Sequence, residues 1–117
     1  MGYSGQDVVN ALQDARKQLM ESVERWRKFG HKLALAERDY RIAYRGEVFV
    51  LHTEDKVAWT AAVEIAKGEE ASVANLRYAR DVARVEYTAE QERINVLKIE
   101  IRMLDGEAQE GLKGYGR

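Results

Sequence analysis

The stretch Leu12-Gln-Asp-Ala-Arg-Lys-Gln-Leu19-Met-Glu-Ser-Val-Glu-Arg-Trp26-Arg-Lys-Phe-Gly-His-Lys-Leu33-Ala-Leu-Ala-Glu-Arg-Asp-Tyr40 sets a large apolar residue at every seventh position. Val9, Val23 and Tyr44 occupy the complementary position of the same heptad. Spacings that alternate between three and four hold these residues on one narrow stripe of an α-helix, which is the seam of a coiled coil. Working outward, the second half repeats the arrangement, with Val73, Tyr87, Ile94 and Ile101 in one line and Leu76, Ala83, Leu97 and Leu104 in the other. Two matching stripes on one chain predict two long helices buried against each other.

Nothing in the composition interrupts them. The 117 residues contain no proline and no cysteine, one third are charged, and 19 Lys and Arg stand against 20 Asp and Glu. Without proline no helix is forced to break. The predicted fold is all-α: a single domain built as a long antiparallel helical hairpin, with a first helix over residues 6–45, a helical tip over 46–68, a third helix over 69–105 and a flexible, glycine-rich tail over 106–117. At ~1.5 Å per residue each long helix spans roughly 55 to 60 Å.

Antiparallel coiled coils layer one heptad position against the other type on the partner, so residues whose numbers add to about 120 should meet. That register sets Leu19 beside Ile101, Trp26 beside Ile94 and Tyr44 beside Leu76, and it places Glu37 near Arg80 and Gly30 opposite Glu90. The run Val48 to Leu51 fits helix or strand by periodicity. Helix is preferred, because a lone strand here has no pairing partner. His52 to Asp55 reads as the turn and Val57 to Ala66 as a short helix, with Thr53 or Thr60 as its capping hydroxyl.

Two features exceed what a simple hairpin needs. The third helix carries a second apolar line, Val82, Val85, Ala89, Val96, Ile99 and Met103, rotated from the seam. A monomer rarely exposes so long a stripe, so this line predicts a homodimer, two hairpins in a four-helix assembly with Val82, Val85, Val96, Ile99 and Met103 as the self-association face. The second feature is the tip. Trp59 and Val63, with Phe49 beside them, form an apolar group on a helix whose circumference is mostly apolar, and part of it reads as a partner-binding surface anchored by tryptophan.

Chemistry has few carriers. Absence of cysteine excludes disulfides, thiolate metal sites and cysteine nucleophiles. His31 and His52 are the only histidines, neither has the spacing of a metal-binding pair, and no glycine-rich phosphate loop joins a strand to a helix. The sequence therefore predicts no catalytic residue, no metal and no cofactor. Between Asp7 and Arg45 nine basic residues face six acidic ones, and Arg27, Lys28, Arg38, Arg41 and Arg45 could track phosphates, which makes a nucleic-acid accessory protein the alternative reading. No segment is apolar enough to span a bilayer and the first residues lack the regions of a signal peptide, so a soluble protein of the cytoplasm is expected.

Four strings, Ala36-Glu-Arg-Asp-Tyr-Arg-Ile-Ala43, Ala66-Lys-Gly-Glu69, Val73-Ala-Asn-Leu-Arg77 with Arg80-Asp-Val-Ala83, and Ile94-Asn-Val-Leu-Lys-Ile-Glu-Ile-Arg102, together resemble small helical proteins encoded by phages and prophages of Gram-positive bacteria. The likeness spans roughly residues 9–105 and departs at the glycine-rich end, where such proteins close on an acidic stretch and an aromatic. It implies a phage accessory protein in a bacterial host cytoplasm and supplies no functional residues. The expected function is non-enzymatic binding of a host protein through the tip or the third helix. The alternatives are nucleic-acid binding through the basic residues and a structural coiled coil of the virion.

Overall fold

The computed structural model describes residues 5–68 and 71–115, and their regular structure is wholly α-helical. Three helices follow in order, α1 (Gly5–Thr53), α2 (Trp59–Gly68) and α3 (Ala71–Tyr115). The chain divides into two compact units, one of Met1–Arg27 with Thr88–Arg117 and one of Lys28–Tyr87. In both, α1 and α3 run antiparallel, so the all-α hairpin expected from the heptads is the fold observed.

In the first unit the seam buries Leu12, Ala15 and Leu104, with Ala11 and Ile101 packed against them. Arg16 reaches Asp105 at 3.4 Å across the helix pair. In the second unit Lys32 meets Glu86 at 3.3 Å and Arg84 meets Glu37 at 3.2 Å. These pairs are exposed and each contributes at most ~1 kcal/mol, so they report the register more than they hold it.

The register falls within one heptad of the expected one, with two local corrections. Glu37 pairs with Arg84, one turn along from Arg80; the Arg80 guanidinium instead lies over the Tyr40 ring at 4.5 Å and bonds Asp81 at 2.9 Å. The space left by Gly30 is taken by Tyr87, whose Cε2 would stand only 3.2 Å from a Cβ at that position. An aromatic ring fills the gap better than a carboxylate, and Glu90 finds its partners elsewhere on the seam.

Helix ends also differ from expectation. α1 continues eight residues past Arg45, because Val48 and Leu51 bury their side chains there and Gly46 has open space around it. The run Val48 to Leu51 is helical. His52 and Thr53 belong to this helix and not to the turn, and the Thr53 hydroxyl donates back to the Phe49 carbonyl at 2.6 Å and so does not cap α2. The chain reverses at Lys56, a non-glycine residue at φ 55°. The Val57 amide donates to the Leu51 carbonyl at 2.9 Å. The tail read as flexible over 106–117 is helix through Tyr115. A mid-helix glycine costs only about 1 kcal/mol relative to alanine, and the Glu, Ala, Gln, Leu and Lys around Gly106 and Gly111 favour helix. The predicted start of the third helix at Glu69 lies outside the described residues.

Candidate interaction surfaces

The tip is built on small residues. Ala62 and Ala66, four apart on one face of α2, are fully buried against Val48 and Leu51 of α1, with Tyr44, Val57, Val63 and Ile65 around them. Alanine at both positions lets the two helix backbones approach closely. Val63, expected at the binding surface, is half-buried and packs in part against this core.

Trp59 is placed differently. Its side chain is 54% exposed and its ring stacks on His52, centroids 3.7 Å apart with 20° between the planes. His52 Nδ1 donates to the Val57 carbonyl at 2.8 Å, which ties the end of α1 to the connector and fixes the imidazole under the indole. His52, expected in the turn, thus lies at the end of α1 and stacks under the tryptophan. Nothing in the spacing announces this, because the contact depends on the reversal at Lys56. Phe49, one turn before His52 on α1, is 61% exposed.

At ~100° per residue Leu35, Ile42 and Phe49 fall on one line of α1, on the side opposite the buried positions Val48 and Leu51. All three are exposed. Arg38, Arg41 and Arg45 fall along one flank of that line and are also exposed, Arg38 bonding Asp39 at 3.2 Å. Lys28 is exposed on this unit, and Arg27 is exposed on the other. The basic residues singled out as a phosphate track are thus split between two units, and three of them border an apolar line.

The second apolar line of α3 is exposed as expected. Val85, Val96, Ile99 and Met103 are each more than half accessible, Val82 is half-buried and Ala89 is exposed. The buried positions of α3 in the first unit, Ile94, Leu97 and Leu104, point toward α1, and Val96, Ile99 and Met103 lie on the far side by helical periodicity. Among the described residues the side chains on that far side remain exposed.

Inside the first unit the seam holds a polar centre. Ser22 is wholly buried and donates its hydroxyl to Glu90 Oε1 at 2.5 Å, and Arg25 Nε donates to the same oxygen at 3.0 Å. Burial works to raise the Glu90 pKa, but the hydrogen bonds from Ser22 and Arg25 and the charges of Arg25 and Arg93 outweigh it and hold the carboxyl below its ordinary range. A cavity of about 190 Å³ lined by Val23, Trp26, Gln91, Ile94, Asn95 and Lys98 lies in the same unit. Trp26 and Ile94 both line it, and its lining holds no pair of titratable groups suited to proton transfer.

Among the described residues no three His, Asp or Glu side chains converge as a metal ion would need, and no helix is long and apolar enough to cross a membrane. Compared with known protein families, with curated proteins and with solved structures, the chain matches none of them.

Proposed function

We propose that this chain is a non-enzymatic interaction protein, a helical hairpin that pairs with a second copy through α3 and offers its tip to another protein. The observation that carries this reading is the line of Val85, Val96, Ile99 and Met103 standing in solvent on the side of α3 away from α1. Large apolar residues exposed along one side of a helix are a standing cost unless something covers them. In the setting that the phage resemblance implies, the protein bound at the tip belongs to a bacterial host. Its surface would be apolar with an acidic border, to match Trp59, Phe49 and Ile42 beside Arg38, Arg41 and Arg45.

Pairing is tested by mass in solution. The wild-type chain at up to roughly 100 µM should sediment at twice the chain mass, and Ile99→Asp should sediment as a monomer with unchanged helix content, because a charge on an exposed position costs little in the monomer but is buried in the pair. A wild-type chain that stays monomeric throughout this range overturns the pairing.

The tip is tested separately. Trp59→Ser with Phe49→Ser should abolish retention of a host protein from a Gram-positive lysate while leaving the sedimentation mass unchanged. Retention that survives this change but falls when Arg38, Arg41 and Arg45 become Glu, and that fades steeply with salt, would point to nucleic acid instead.

A further inference from the structure

Resting on the reading that α3 pairs two copies, we infer that the occupant of its outer face is the α3 of a second copy lying antiparallel to the first, about a two-fold axis between Glu90 and Gln91.

The outer line is close to a palindrome around that point. Moving outward in both directions, Ala89 answers Glu92, Val85 answers Val96, Val82 answers Ile99 and Tyr78 answers Met103. Tyr78, Val85 and Ile99 occupy one heptad position of this line, with Glu92 between them, and Val82, Ala89, Val96 and Met103 occupy the other. An antiparallel pair layers one type against the other, and each of the four matches does so. Tyr78 would therefore pack on the partner's Met103 and Val85 on the partner's Val96.

The flanks agree independently. Antiparallel helices bring like flanking positions together, and the charges there are opposite. On one flank the nearest position to Asp81 is the partner's Arg102, and on the other the nearest to Glu86 is the partner's Arg93. Asp81, Arg93 and Arg102 are exposed and Glu86 is half-buried; Asp81 bonds its neighbour Arg80, and Glu86 bonds Lys32 on the exposed edge of the seam. Two-fold symmetry makes four such ion pairs. A parallel arrangement in register has the opposite character: it sets Glu92 on the partner's Glu92 and Asp81 beside the partner's Glu86. Like charges placed so disfavour that geometry, and charge complementarity of this kind sets orientation more than total affinity.

The absence of native cysteine makes orientation directly readable. Chains carrying Val85→Cys and chains carrying Val96→Cys are oxidised separately and then as a mixture. The antiparallel pair predicts a disulfide-linked dimer in the mixture and little in either alone, and Tyr78→Cys mixed with Met103→Cys repeats the test at a second layer. Each variant forming its own dimer would overturn the antiparallel geometry while leaving pairing intact. A wild-type chain that sediments as a monomer would overturn both.

Charge exchange adds a second readout. Arg102→Asp should weaken association at least about tenfold, because it sets two carboxylates together at each end, and Asp81→Arg added to it should restore the wild-type value to within about threefold. Loss in the single variant without recovery in the double one would overturn the proposed contact.

Discussion

Glu90→Ala is expected to destabilise the folded chain by about 3 kcal/mol, read as a lower urea midpoint at pH 7. The carboxylate is 9% exposed and accepts from a serine with no exposure at all. Removing it leaves the Ser22 hydroxyl buried without that acceptor, whereas Arg25, 43% exposed, can turn to water. Most of the cost therefore lies with Ser22. It follows that Ser22→Ala together with Glu90→Leu should recover most of the loss, since replacing both members of a buried polar pair by apolar groups of similar size is nearly neutral. A single Glu90→Ala change that costs under about 0.5 kcal/mol would show that the network is not closed in solution.

The same carboxyl makes stability depend on pH in a definite direction. Its ordinary value is 4.5 and the folded value lies lower, so the unfolded chain takes up this proton first on acidification. The contribution of Glu90 is complete above about pH 4.5 and fades as the pH falls through the depressed folded value. Glu90→Gln should therefore be less stable than wild type at pH 7 and lose less of its stability on going to pH 3. Equal slopes for the two proteins across this range would contradict the assignment.

Much of the fold was legible because heptads act through burial alone. The lines through Leu12 and Leu104, and through Ile94 and Leu97, could satisfy their apolar faces only against each other, and antiparallel pairing followed from the single connector. Position along the seam was less legible, because within one heptad the apolar layers are nearly equivalent. Specific shapes and charges then decide it: Tyr87 needs the gap at Gly30, Glu37 prefers Arg84, and Glu90 is drawn to Ser22 and Arg25. Serine at position 22 carried no signal in sequence, since its importance comes from the neighbour that burial brings to it. The ends were misjudged for another reason. The first helix is expected to end at 45 and the tail over 106–117 to be flexible, yet Gly46, Gly106 and Gly111 each cost a helix only about 1 kcal/mol, less than the burial of Val48 and Leu51 returns to α1. At the tip, the composition located the apolar group but not its division, in which Ala62 and Ala66 form the core, Val63 packs in part against it and Trp59 stacks on His52 while half exposed.

Glu92→Leu is expected to tighten self-association by about a thousandfold. Glu92 is exposed in the single chain and is the one charged residue interrupting the outer line of α3 between Val85 and Ile99. In the antiparallel pair it falls at the centre, facing the partner's Ala89, where the small methyl leaves room for the carboxylate to bend out toward water. Leucine would fill that room. Burying one such side chain contributes on the order of 2 kcal/mol. The two-fold axis repeats the change, so the pair gains ~4 kcal/mol, or about three decades in Kd. Dilution followed by sedimentation measures this directly, and the melting temperature should rise and become dependent on concentration. Glu92→Gln, which removes charge without adding apolar area, should tighten the pair by no more than about tenfold. A Glu92→Leu chain whose mass and melting temperature match wild type would mean that this face of α3 is not where copies meet. If the tightening is found but the cysteine pairs at 85 and 96 then link only to themselves, leucine has released a parallel alternative that the charge at position 92 suppresses, and the role of Glu92 is to select orientation at the expense of affinity.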